Sequence, residues 1–431
     1  MNNLIRFIHI SDIHFGSLSK KRDGIFKTSF SDWFQFLIDF IEDNYLIKNI
    51  NTFLLISGDL ISKSEHENFE NEYLQRFLKI FYENKIPIII CNGNHDLDRK
   101  KINEGAQFND FNDFMRKNES NFRINLSRDF NDNQISYYHS EETNLLFIAV
   151  NSCQNIEIKY KDEQLKNEIH DPDILLDEKF LDIGIISYAT ISKFFKELSE
   201  KFSEEYFKVM NKFIISHHTM NQTMLETSTF ELLKKYNVQL IFSGHQHEYD
   251  FIPKKGIFNY VSGSLAGNYE TRADLINLKI VENQFNVYDI NFKERKIIPQ
   301  LVYYGKDKKW ITETKYEDVK EIELSQIYTF DYWSKNNSFT ENIIKQLKEK
   351  NIKTVYVEEN SYPPYYLKDS NNIFYNCCLL KNEDRQLEAN EIYNYLQDNL
   401  SLIEQKSLPI MIINNTNKFQ RQFPKQFTIN K

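Results

Sequence analysis

Cysteine is scarce in this chain: four residues in 431, Cys91, Cys153, Cys377 and Cys378. Two of the four are adjacent, a spacing unsuited to an ordinary disulfide, so a disulfide framework is excluded and a reducing, cytoplasmic setting is expected. No apolar run approaches the roughly 18 residues that a membrane span requires, and no charged-then-apolar leader precedes Ile5. No membrane partner is therefore expected. Positive charge is in deficit, with 53 Lys and Arg against 62 Asp and Glu and a formal net charge of −9. That balance argues against tight, sequence-independent binding to a long nucleic acid, which needs clustered cations to neutralise phosphates. Only 11 glycines are present, and three of them, Gly58, Gly93 and Gly244, stand in the motifs below, where they let the backbone turn sharply.

What the chain has is apolar and aromatic mass, 41% and 15% of its residues. That suffices for one large domain and an appendage. The pattern is organised around Cys91–Asp98, CNGNHDLD, where the apolar run Pro87–Ile90 ends in glycine and polar chemistry begins. An Ile-rich run preceded by a helix-like segment reads as a buried strand of an α/β layer, a fold class that gathers its sites at the carboxyl ends of strands. Four other runs end in the same way. Arg6–Ile10 leads into Ser11-Asp12-Ile13-His14, Thr52–Ile56 into Ser57-Gly58-Asp59, Phe213–Ile215 into Ser216-His217-His218, and Gln239–Phe242 into Ser243-Gly244-His245-Gln246-His247.

Taken singly each cluster is ordinary: Gly58-Asp59 is a common turn, and a lone histidine is more often a satisfied, half-buried side chain than a ligand. Together they bring six of the ten histidines to strand ends, with Asp12, Asp59 and Asn94. Carboxylate, amide oxygen and imidazole are the donors that borderline divalent metals accept. Residues two apart on an ending strand point the same way, so Asp12 with His14, and His245 with His247, can reach one pocket. Seven candidate ligands, Asp12, His14, Asp59, Asn94, His217, His245 and His247, are too many for one tetrahedral ion. A carboxylate shared by two ions about 3.5–4 Å apart accommodates them.

In that order, Asp12-x-His14, Gly58-Asp59, Gly93-Asn94-His95-Asp96, His217 and Gly244-His245-x-His247 resemble the calcineurin-like metallophosphoesterases, over roughly the first two-thirds of the chain. The resemblance implies a four-layer α/β/β/α sandwich and two divalent ions, Mn²⁺ favoured, with Fe or Zn²⁺ also admitted. It implies that Asp12, His14 and His247 hold one ion, Asn94, His217 and His245 the other, and that Asp59 bridges both. His95 would contact the substrate phosphate or protonate the leaving oxygen. It also selects His217 as the ligand of its pair and leaves His218 to support the site without binding an ion. Gly58-Asp59 is followed by Leu60-Ile61-Ser62-Lys63, and the later motif ends in Asp96, which departs from protein serine/threonine phosphatases and removes the aspartate that would steady His95. Ser62 stands where a purple acid phosphatase has tyrosine.

The opening His9–Gly16 is similar to DNA-repair nucleases and equally to cyclic-nucleotide phosphodiesterases. The leading expectation is thus hydrolysis of phosphodiesters, with DNA, RNA or a nucleotide as partner. A phosphomonoesterase acting on a small metabolite, or a partner-docking subunit of a larger nuclease or defence complex, are the alternatives. A scaffold without catalysis is disfavoured because all seven ligands are present. Two basic runs, Lys20–Arg22 and Arg99–Lys101, follow metal motifs and are expected at the rim.

Amphipathic spacing predicts helices over Thr28–Ile47, capped by Thr28 or Ser29, and over about 66–84. Further helices are expected at Phe108–Phe114, Ile191–Phe202 and Thr227–Tyr236, with strands near Gln134–His139 and Leu145–Val150. Asn151–Ile186 reads as a charge-rich insertion, with His139 and His170 outside any cluster. Leu275–Val281 and Phe285–Phe292 read as a hairpin turning at Glu282-Asn283. The catalytic domain is placed at residues 1–298. A smaller α/β appendage at 299–431 carries helix-like Asn342–Lys350 and Glu388–Leu400, strand-like Lys353–Val357 and Ile410–Ile413, the turn Tyr362–Tyr365, and a basic tail containing Lys406, Lys418, Arg421, Lys425 and Lys431. The appendage is the expected seat of any protein partner.

Overall fold

The computed structural model describes residues 4–15, 30–47, 50–61, 69–154, 184–202, 206–207, 210–224, 227–254, 257–265, 269–270, 279–280, 283–291, 294, 296–305, 307–321, 326–329, 339–357, 365–370, 374–380, 392, 394–397, 410–414 and 428–430. The run Lys20–Arg22, the caps Thr28 and Ser29, Ser62 and Lys63, most of the 151–186 insertion with His170, the Tyr362–Pro364 turn, most of Glu388–Leu400 and the basic residues of the tail lie outside the described residues.

The five predicted strand runs are all strands, and they divide between two sheets. Leu4–Ile10, Asn51–Ser57 and Ile88–Cys91 run parallel in the first; Leu145–Ala149, Asn211–Ile215, Val238–Ser243 and Ile257–Val261 run parallel in the second. Antiparallel strands complete each sheet, so both are mixed, and among the described residues each has seven strands.

Alternation along the strands explains the layering. Ile8, Ile10, Leu54, Ile56, Ile88 and Ile90 face the helices Phe30–Tyr45 and Glu72–Glu83, meeting Phe34, Leu37, Ile41, Phe77, Leu78 and Phe81 in one buried cluster. The intervening residues face the other sheet. Phe7 meets Phe147, Phe213 and Phe242 edge-on with ring centroids 5.2–5.7 Å apart, a geometry in which ring edges meet ring faces. On the far side, Phe194 of the helix Tyr188–Phe202 packs on Tyr137, and Thr227–Lys235 precedes the Val238–Ser243 strand. The result is an α/β/β/α sandwich.

The second helix is capped by Asn71, whose Oδ1 accepts from the N–H groups of Tyr73 and Leu74, satisfying donors a helix start leaves open. Asn109–Phe122 is a helix twice as long as the spacing suggests.

Two expectations about the later chain change. Of 275–281 only Lys279 and Ile280 are described, and they do not pair with Gln284–Asn291. That strand lies between Leu4–Ile10 and Lys296–Tyr304, antiparallel to both, while Lys279–Ile280 pairs with Tyr269–Glu270. The division placed at residue 298 falls inside the Lys296–Tyr304 strand. Trp310–Thr314 and Lys320–Glu321 extend that sheet further, and the compact unit reaches Glu323. Its edge is not expendable: Trp310 is buried against Phe285 and Tyr304, at 5.6 and 5.3 Å between ring centroids.

The second compact unit comprises Leu324–Lys431 with the short stretches Glu142–Asn144 and Ser199–Met210. Its six-stranded sheet has Phe339, Ile343 and Leu347, at and within the Thr340-capped helix Glu341–Glu349, on one face, and Ile392 on the other. It therefore holds cores of its own. No described helix is long and apolar enough to cross a membrane.

Candidate metal centre

Three strands of the first sheet and two of the second end at one place, and the polar residues that follow them converge there. Asp12 Oδ1 lies 3.1 Å from His247 Nε2 and 3.8 Å from His14 Nε2. His14 Nε2 lies 3.7 Å from Asp59 Oδ2, which is 3.6 Å from His217 Nε2. His217 Nε2 in turn stands 3.0 Å from Asn94 Oδ1 and 3.1 Å from His245 Nδ1. All seven predicted ligands are thus linked through close donor atoms. His95 joins them, with its ring 4.8 Å from that of His14, but is exposed where the others are buried or half-buried.

Asp12 and His14 come together, and His245 and His247 reach the same cluster through His217 and Asp12, by a backbone other than an ending strand. Asp12 and His14 have φ of 51° and 49°, His245 and His247 of 69° and 62°, and Asp59 of 53°. Five of the seven donors occupy the left-handed region, which non-glycine residues enter at a cost of order 1 kcal/mol or more each. The side chains converge because the chain curls past the strand end, and the strand itself has stopped. Close approach sets the glycines: a Cβ at Gly93 would sit 2.1 Å from Asp59 Oδ1, and one at Gly58, itself at φ +89°, 2.7 Å from His217 Nδ1.

Surrounding hydrogen bonds orient the donors. His217 Nδ1 lies 2.8 Å from the Ser57 carbonyl. An imidazole bonded so carries its proton on Nδ1 and turns the Nε2 lone pair inward, the arrangement that fits a metal ligand. Asp12 Oδ2 accepts the His245 N–H at 3.0 Å, and Asp59 Oδ1 accepts that of His95 at 2.8 Å. His218 makes a different contact: its Nδ1 bonds Ser152 Oγ at 2.9 Å, while its ring lies 4.6 Å from that of His245.

The sequence pattern assigns no role to Asp96, whose carboxylate takes N–H bonds from Gly93, Leu60 and Ile61 at 2.8, 3.3 and 3.2 Å. It ties the Asp59 loop to the Asn94 loop. Nor does the pattern identify the buried Asn92–Asn151–Gln134 amide chain, with links of 2.9 and 2.8 Å, that joins the Asn94 loop to the end of Leu145–Ala149. Polar residues directly after buried strands were the available signal.

Burial without an ion disfavours charge throughout. It lowers His14 to about 4, against the pull of Asp59, and holds His245 well below the ordinary imidazole value. Burial also opposes the charge of Asp12, but His247, His217 and His14 outweigh it and keep that carboxyl well below the usual range. Asp96 is pushed up to about 7 by burial and by Asp59.

The donors fit a divalent ion. His14 Nε2 is a buried ring nitrogen with no hydrogen-bond partner, facing two carboxylates at 3.7–3.8 Å. That gap is too long for hydrogen bonds and suits donors that share an ion at about 2.0–2.2 Å each. Three donor sets, Asp12-His14-His247, His14-Asp59-His95 and Asp12-Asp59-His217, have all their ligand atoms within 4.8 Å of one another. Of the run Arg99–Lys101, expected at the rim, the Lys101 ammonium is described, and it is engaged by Asp98 and Asp110 at 3.3 and 3.4 Å. His139 sits on the strand Ser136–Ser140, outside the cluster.

A family model described as calcineurin-like phosphoesterase matches residues 5–249, a span that contains all eight residues. Among solved structures, similar ones include GAP50, the anchor in the inner membrane complex of Plasmodium, at 12% identity and a TM-score of 0.37, covering 72% of this chain and 88% of that one. Vps29 from Cryptosporidium parvum has 10% identity and a TM-score of 0.32, covering 74% and 99%. Vps29 from Entamoeba histolytica, complexed with Zn²⁺, has 10% identity and a TM-score of 0.31, covering 72% and 98%. No curated protein sequence matches the chain.

Proposed function

Because the chain belongs to the calcineurin-like phosphoesterase family, we propose that it is a hydrolase with two divalent ions whose substrates are phosphodiesters of a nucleic acid or nucleotide. The observation that carries this reading is the unpartnered Nε2 of His14 facing Asp12 and Asp59. In it, Asp12, His14 and His247 would hold one ion, Asn94, His217 and His245 the other, and Asp59 would serve both.

When bound, such ions supply a water-derived nucleophile at neutral pH and offset the charge that grows on the phosphoryl oxygens. The remaining work falls to the chain. His95, exposed beside the donors, holds a ring proton for the departing oxygen, and its backbone N–H on Asp59 fixes where the loop presents that ring. The Ser57 carbonyl keeps the His217 proton on the outer nitrogen, and Asp96 keeps the two loops in step.

Diesters are favoured over monoesters on charge. A diester carries one negative charge and a monoester about two at neutral pH, and among the described residues the Lys101 ammonium, which follows the Asn94–Asp96 motif in sequence, is engaged by Asp98 and Asp110. The second unit, with its own cores, serves in this reading to dock a protein partner.

The test offers the Mn²⁺-loaded protein a chromogenic phosphodiester, a chromogenic phosphomonoester, a 3′,5′-cyclic nucleotide, and single- and double-stranded DNA and RNA, at low and moderate salt. The diester is cleaved faster than the monoester, and EDTA abolishes both activities. Faster cleavage of the monoester overturns the substrate assignment. Turnover of long polynucleotides that falls steeply with salt selects nucleic acid, because each neutralised phosphate releases a counterion; turnover of the cyclic nucleotide without a salt effect selects the nucleotide.

A further inference from the structure

Residues held in the left-handed region persist only where their surroundings over-determine them. Asp12 and His247 are two such residues, distant in sequence, one following a strand of the first sheet and the other a strand of the second. One residue holds both. The Ser264 N–H donates to the His247 carbonyl at 3.1 Å, and the Ser264 hydroxyl donates to the Asp12 carbonyl, also at 3.1 Å.

Ser264 is fully buried and follows the strand Ile257–Val261, beyond residue 249 where the family match ends. It is itself fixed on both sides. Its carbonyl accepts the Gln284 N–H at 3.0 Å, and the Leu265 N–H bonds the Ser11 carbonyl at 3.1 Å. Gln284 adds a second hold on the same ligand, its Nε2 donating to the His247 carbonyl at 3.1 Å. That reach needs Gly263, where a Cβ would lie 2.1 Å from Gln284 Cγ. Serine suits this position on two counts, since alanine leaves the Asp12 carbonyl without this donor and threonine adds a methyl group to a fully buried residue.

We propose that Ser264 is a positioning residue for the metal centre, clamping the backbones of Asp12 and His247 so that both side chains meet the same ion, with Gln284 as its auxiliary. The proposal rests on the reading that Asp12 and His247 bind metal. Outer groups that orient ligands typically change metal affinity or activity by about 10–100-fold. The expected signature is therefore selective: the ion held by Asp12, His14 and His247 weakens, and the ion held by Asn94, His217 and His245 is spared.

The experiment is calorimetric titration of the metal-free full chain with Mn²⁺, for wild type, Ser264→Ala, Gln284→Met and His247→Ala, with melting temperature measured on the same samples. Wild type shows two binding steps, and His247→Ala identifies the step that belongs to its ion. Ser264→Ala weakens that step by about 10–100-fold and leaves the other within about threefold. Gln284→Met weakens the same step by less, and carries the test if Ser264→Ala does not fold. Two unchanged steps in a folded variant, or two steps weakened equally together with a fall in melting temperature, overturn the positioning role and leave the metal assignment standing. Failure of wild type to bind Mn²⁺ overturns the metal reading itself, and this inference with it.

Discussion

The backbone N–H of His95 donates to Oδ1 of Asp59 at 2.8 Å, across 36 residues of sequence. One oxygen of Asp59 thus places the exposed histidine while the other, Oδ2, faces His14 and His217. The group proposed to serve the leaving oxygen and the group proposed to face both ions are parts of one arrangement.

From this follows a separation of roles. His95→Ala loses a side chain that is exposed and keeps the backbone N–H, so metal content stays at the wild-type level and stability changes within about 0.5 kcal/mol. Turnover of a phosphodiester falls about 10²–10⁴-fold, the usual contribution of a positioned proton donor. Metal analysis beside single-turnover kinetics checks both halves.

The two adjacent histidines are distinguished by what their ring nitrogens meet. His217 turns Nε2 to Asn94 and His245, whereas His218 turns Nδ1 to Ser152. His217→Ala loses an ion. His218→Ala keeps both ions and is destabilised by about 1–3 kcal/mol, because the buried Ser152 hydroxyl loses its ring partner and keeps only the backbone N–H of residue 218. Metal loss in the second variant and not in the first reverses the assignment.

His9 gives a pH signature. Its ring is fully buried between the sheets, bonded to Ser57 Oγ at 2.9 Å, and burial lowers it to about 3 despite Asp12. The sign is that of a base whose folded-state value is depressed: the unfolded chain takes a proton below about pH 6.5 and the folded chain does not, so stability falls as pH drops from 6.5 toward 3. His9→Phe removes this dependence, and the slope of unfolding free energy between pH 6 and 4.5 flattens by about 1.4 kcal/mol per pH unit. Urea unfolding of the metal-free protein at several pH values measures it.

The site was legible because buried strands announce themselves as short apolar runs, and the residue after each run lands where parallel strands end. Asp12, Asp59, Asn94 and His245 follow from that, whereas the choice of His217 over His218 rests on the family resemblance. Their left-handed backbone was not legible, since aspartate and histidine carry no signal comparable to glycine. Ser264 and Gln284 act through carbonyl oxygens, which leave no mark on the side-chain pattern. A hairpin is expected because 275–281 and 285–292 alternate acceptably, while the partners of Gln284–Asn291 are the distant strand Leu4–Ile10 and Lys296–Tyr304. A boundary at residue 298 follows the motifs, which end at His247, while the sheet continues through Lys296–Tyr304.

The far edge of that sheet can be tested directly. Trp310 lies beyond the boundary drawn from the motifs and packs into the core that covers the first sheet. Trp310→Ala destabilises the protein by about 3–5 kcal/mol, as large core truncations do. A chain ending at residue 298 does not fold, since the Lys296–Tyr304 strand is severed. Denaturant titration of the variant, and circular dichroism of the truncated chain, check these outcomes.

Asp59 is proposed to face two ions that support phosphodiester hydrolysis. The most direct test is metal analysis of Asp59→Asn beside wild type, after Mn²⁺ loading and removal of free metal, with hydrolysis of a chromogenic phosphodiester followed in the same samples. Asparagine keeps an oxygen for the His95 N–H but cannot offer two anionic oxygens. The expected result is about two ions per chain in wild type, fewer in the variant, and turnover lost together with the metal. An Asp59→Asn protein that retains both ions and the wild-type rate contradicts it.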